Sequence, residues 1–131
     1  MKSGINTANT TAQAVGANSA LPLGSIIRRF GCAVDLNGNG VNIREQGYYN
    51  VDGSITYTPT DAGLLTVQLM ADGVAVPGSS ASVTAVAATT YNLGIVGKAI
   101  SCCRPVTLTL MVNLAGTVNN VGLNVDKVAC A

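Results

Sequence analysis

The groups best suited to chemistry are four cysteines and six carboxylates, in a chain that has no histidine. Without an imidazole, neither a Ser/His/Asp nor a Cys/His nucleophile system can be assembled. Cys102 and Cys103 are adjacent, and Arg104 follows them. A neighbouring cation favours the thiolate, but no base or oxyanion donor stands beside this pair. Adjacent cysteines bridge each other only through a strained peptide. Cys32 and Cys130 lie near the two ends of the folded part. No CxxC pair or Cys/His spacing suits zinc. The cysteines therefore read as buried free thiols or as members of a disulfide, within or between chains.

The carboxylates Asp35, Glu45, Asp52, Asp61, Asp72 and Asp126 are dispersed. Their spacing singles out no pair of the kind a glycosidase needs. Asp61 and Asp72 fall in turns, where Asp caps the backbone. The run Asp35-Leu36-Asn37-Gly38-Asn39-Gly40 has the DxNxNG start of a calcium loop. Counted from Asp35, position 12 is Gln46 rather than a glutamate, and no flanking helices are expected. No glycine-rich stretch joins a strand to a helix, so no phosphate loop is expected. With no Trp and a single Phe, an aromatic platform for sugars or single-stranded nucleic acid has little to be built from. The expectation is a non-enzymatic protein with no cofactor and no metal.

The elements that would position these groups are strands. In Gly47–Gly73 the residues Tyr49, Val51, Gly53, Ile55 and Tyr57 share one face, and Asn50, Asp52, Ser54, Thr56 and Thr58 the other. After Pro59, Asp61 and Gly63, Leu65, Val67, Leu69 and Ala71 alternate again until Asp72-Gly73. Period two over consecutive segments with turn chemistry at both ends predicts an antiparallel hairpin with one buried face. Ile26–Val34 reads as the first strand, and Asn-Gly twice predicts a tight turn after it. Val106–Leu114 alternates most cleanly, and Val121, Leu123 and Val125 mark a last strand. About eight strands with turns between them and no helical period predict an all-β, antiparallel two-sheet sandwich or barrel.

Residues 25–131 form the expected domain. Residues 1–24, rich in Asn, Thr, Ala, Ser and Gly, read as an extended N-terminal arm that orders against a neighbour. Ile5, Val15, Leu21 and Leu23 are its apolar anchoring candidates. Charged residues make up only 10% of the chain, against roughly 25% in ordinary soluble domains. A surface so poor in charge is expected to be partly covered by partner chains. The net charge of +1 gives no electrostatic case for nucleic acid or an anionic membrane. No apolar run reaches the length of a membrane span, and the N-terminus lacks the apolar core of a secretory signal. Export, if any, is expected by another route, such as release inside a particle at lysis.

The ordered set SIIRRF, GYYNVDGSITY, LLTVQLMADGVAVPGSSASV, VTLTLMVN and VGLNVDKVA resembles the C1q/tumour-necrosis-factor-like jelly roll. The form it resembles is the compact one of phage capsid decoration or head-fibre proteins and bacterial spore-surface proteins. The resemblance covers roughly residues 25–131. It implies a homotrimer whose threefold axis faces the sheet carrying the first, last and Gly-x-Tyr strands. Tyr48, Tyr49, Val51, Ile55, Tyr57, Leu123 and Val125 then become candidates for the sandwich core or the trimer axis. It also implies a Cys32–Cys130 disulfide, because first and last strands are neighbours in such folds. No Gly-X-Y repeat precedes the domain, which argues against a spore filament. The expected function is a structural virion protein, a decoration or head-fibre knob held by its arm to a major capsid protein or other particle-surface protein. The alternatives are an adhesin tip of the same fold that binds a host receptor or glycan, and a coat protein of a bacterial spore or cell surface.

Overall fold

The computed structural model describes residues 3–31, 33–101 and 105–129. Among them are twelve strands and no helix. They are β1 (Gly4–Asn9), β2 (Gln13–Val15), β3 (Ser19–Ala20), β4 (Ser25–Phe30), β5 (Val34–Asn37) and β6 (Gly40–Ile43). Then follow β7 (Gly47–Pro59), β8 (Gly63–Ala71), β9 (Val74–Ala85), β10 (Tyr91–Ser101), β11 (Val106–Val112) and β12 (Gly116–Ala129). The front sheet runs β10-β7-β12-β1-β4, with β2 added to β12. The back sheet runs β5-β6-β11-β8-β9, with β3 added to β11. Every pairing is antiparallel.

The alternating residues close the sandwich as their period requires. Tyr49, Val51, Ile55 and Tyr57 of β7 are buried, and so are Leu65, Val67 and Leu69 of β8. Leu108, Leu110 and Val112 of β11 face Val121, Leu123 and Val125 of β12 within one apolar core. Gly53 lies on the inward face of β7, where an added Cβ would come within 2.9 Å of Ile95 and 3.6 Å of Leu123. Those two side chains fill the space the glycine leaves.

Three sequence expectations need correction. First, β7 and β8 are not a hairpin. β7 pairs with β10 and β12, whereas β8 pairs with β9 and β11 in the opposite sheet. The turn after Pro59 carries the chain across the sandwich, and Thr60 N–H donates to Ala115 O there at 2.9 Å. The hairpin that does form joins β8 to β9 through Asp72 (φ 50°) and Gly73 (φ 81°). Second, Pro77-Gly78, whose residue types predict a tight turn, does not end a strand. It lies inside β9, at the register shift opposite Gln68 and Met70, with Gly78 at φ 78°. Gln68 Nε2 enters that bulge and donates to Val76 O at 3.0 Å and to the buried Ser79 Oγ at 2.7 Å.

The third correction concerns the arm. Residues 3–24 do not stand apart from the domain. β1 sits inside the front sheet, between β12 and β4. β2 lies on the front sheet and β3 on the back one, so the chain between them straps one end of the sandwich. Ile5, Leu21 and Leu23 are at most 1% exposed, and Val15 is buried with them. The polar composition misled because β1 turns Asn6 to solvent while Ile5 and Thr7 face inward.

Candidate assembly surface

The residues proposed for a site divide cleanly. Tyr49, Val51, Ile55, Tyr57, Leu123 and Val125 point between the two sheets and have no surface left for a partner. Tyr48 points the other way and is 46% exposed. Ile5, Val15, Leu21 and Leu23 cannot anchor the protein to a particle while it is folded, because the core already covers them. Cys32 and Cys130, named for a disulfide, lie outside the described residues, as do Cys102 and Cys103.

What the front sheet offers a partner is its outer face. Cross-strand register builds that face in rows. One row is Asn6, Asn124, Asp52 and Val96, taken from β1, β12, β7 and β10. The next is Ala8, Gly122, Ser54 and Gly94, all small. On the other side of the first row lie Gly4, Asp126, Asn50 and Lys98. The small row leaves a shallow depression of about 290 Å³. Gly122 lines it, and a Cβ added there would touch nothing within 4 Å. Phe30 lies over Gly4 beside Asp126, and Val128 follows on the same border. Asn124 Nδ2 donates to Asp126 Oδ2 at 2.9 Å. Sequence reasoning missed Asn6, Asn124 and the small row, since polar and glycine positions carry no periodic signal of their own.

Charges elsewhere act as ties rather than as chemistry. Asp35 accepts from Arg29 Nη1 and Arg44 Nη2, each at 2.7 Å, and from Leu36 N–H at 2.9 Å. The DxNxNG run is thus a β5–β6 hairpin, with Gly38 at φ 60° in its turn. Its first carboxylate is committed to arginines, which is the wrong neighbourhood for a cation. No group of three potential metal ligands occurs among the described residues. Lys127 Nζ, nearly buried, donates to Glu45 Oε1 at 2.9 Å. That hydrogen bond, with the ammonium charge behind it, holds the Glu45 carboxyl below the usual carboxylate range. Tyr57 Oη donates to Leu114 O at 2.7 Å, and burial pushes its hydroxyl pKa up to about 12. No helix of the described residues is long and apolar enough to cross a membrane.

No protein-family model matches the chain, and no characterised protein sequence does. Solved structures match its shape. The globular domain of zebrafish complement 1qA superposes with a TM-score of 0.76 at 6% identity, over all of both chains. Eiger TNF from S. frugiperda gives 0.71 at 10% identity, over all of this chain and 94% of that one. The PRD1 vertex protein P5 gives 0.61 at 10% identity, over 96% of this chain and 73% of that one. The chain therefore has the antiparallel two-sheet jelly roll of the C1q/tumour-necrosis-factor type.

Proposed function

We propose that this protein is a non-enzymatic structural knob, a homotrimer displayed on the surface of a particle, as a capsid decoration or head-fibre protein of a virion. The observation that carries the reading is the outer face of the front sheet. It is built from small and amide side chains with Tyr48, Val96 and Phe30 exposed among them, Asp52 and Asp126 on its inner strands and Arg28 and Lys98 on its border strands. Copies related by a threefold axis can bring the border cations of one against the central carboxylates of the next. The absence of histidine and the low charge agree with a structural role. The likeness to a phage vertex protein favours a particle surface over a soluble messenger.

Native mass spectrometry tests the assembly. A mass near three times the 13.2 kDa chain is expected. A clean monomer at micromolar concentration would overturn it. A density map of the intact particle tests the location, and should show threefold knobs above the capsid shell.

A further inference from the structure

We propose that β4 is a docking edge for an extended, acidic polypeptide strand of another protein, added to the front sheet through backbone hydrogen bonds. This goes beyond the particle-surface reading and is separable from it, since strand capture requires neither a trimer nor a virion.

The first ground is the open edge. β4 ends the front sheet, with β1 on one side and, among the described residues, no strand on the other. Its outward row of N–H and C=O groups repeats every two residues, and an extended chain is the ligand that matches that repeat. Hydrogen bonds of this kind lie in the plane of the sheet, so packing on the sheet's outer face leaves them available.

The second ground is what the edge displays. All six residues of β4 are exposed. Natural edges are usually short, charged or interrupted. This one is charged at Arg28 and Arg29 and shifts register against β1, yet it also exposes Ile26, Ile27 and Phe30, with Ile27 64% exposed. Phe30 and Arg28 register with Gly4 and Asn6 on the outer face, while Arg29 registers with the inward Ile5. An added strand would therefore meet an arginine on either face, and apolar side chains beside them.

The third ground is charge, and it decides the occupant. Arg29 and its neighbour across the sandwich, Arg44, share one carboxylate, Asp35, and Arg28 stands on the other face of β4. Arg28 has no ion pair among the described residues. A second β4 would bring two Arg28-Arg29 pairs together, so charge works against self-pairing. Carboxylates at alternate positions of an incoming strand would relieve the excess.

The test uses the full chain and a fluorescein-labelled peptide that alternates Val and Glu. Two controls accompany it, a Val/Lys peptide and a Val/Glu peptide interrupted by proline. Saturable anisotropy change is expected with the Val/Glu peptide alone, together with slowed amide exchange across Ser25–Phe30. Arg28→Glu changes an exposed side chain and should leave the fold intact. It should weaken the Val/Glu peptide about tenfold and transfer binding to the Val/Lys peptide. Equal binding of the proline-interrupted peptide would overturn strand addition. So would no saturable binding of the Val/Glu peptide, or an affinity indifferent to Arg28→Glu. A mass that doubles with concentration and is abolished by Ile27→Lys, without peptide binding, would make the occupant a second copy and also overturn the proposal.

Discussion

Single side chains contribute to the pH dependence of this molecule. Glu45 has a depressed carboxyl pKa because Lys127 prefers the anion. Its contribution to stability is therefore present above the unfolded value and is lost as pH falls through about 4.3 and below. Urea midpoints measured across that range should fall with acid, and Glu45→Gln should flatten that part of the profile. Tyr57 has the opposite sign. Its neutral form is favoured in the fold, so its contribution holds below the unfolded value near about 10 and is lost as pH rises towards the folded value. Tyr57→Phe also leaves the Leu114 carbonyl without its donor and should cost about 1 kcal/mol by urea unfolding at neutral pH. Thr7 behaves differently. Its Oγ1 is buried with no hydrogen-bond partner. Thr7→Val keeps the shape and removes the unsatisfied hydroxyl, so a gain of about 1 kcal/mol is expected in the same assay.

At the scale of elements, the N-terminal strand matters most. Deleting residues 1–24 would remove β1 from between β12 and β4, along with the buried Ile5, Leu21 and Leu23. The truncated chain should show no cooperative unfolding by circular dichroism. A free arm would give the opposite result, a folded knob of unchanged stability. Gly116 is a second test. A Cβ there would sit 2.4 Å from Thr58 O and 2.7 Å from Pro59 Cα, both backbone atoms. Gly116→Ala should cost about 2 kcal/mol, because β7 would have to move away from the start of β12. Alternation located β7, β8, β11 and the end of β12 in the sequence. It did not disclose pairing, because period two reports which side of a strand is buried and says nothing of the strand next to it. SIIRRF shows the same limit from the other side. It lacks alternation, which fits an edge strand exposed throughout, and its residue types predicted a strand without telling its place in the sheet.

At the scale of the whole molecule, two surfaces are open to contact. The outer face of the front sheet and the open edge of β4 are perpendicular directions of contact, so one protein can use both. If the face assembles through ion pairs, raising the salt concentration should weaken the oligomer. Sedimentation velocity at low and high ionic strength would read this directly, and an unchanged assembly would assign it to apolar contacts at Phe30, Tyr48 and Val128. The amino-acid order by itself determined that the chain is all-β, that its inward residues are those alternating Leu, Val, Ile and Tyr positions, and that histidine-dependent catalysis is closed to it. Those properties follow from side-chain identity and a local period. Only the tertiary structure decided that residues 4–23 belong to the sandwich, that Gly47–Gly73 crosses between sheets, and that Asp35 is occupied by arginines. Each of these depends on contacts between residues distant in sequence, and neither composition nor periodicity encodes which distant strand will arrive alongside.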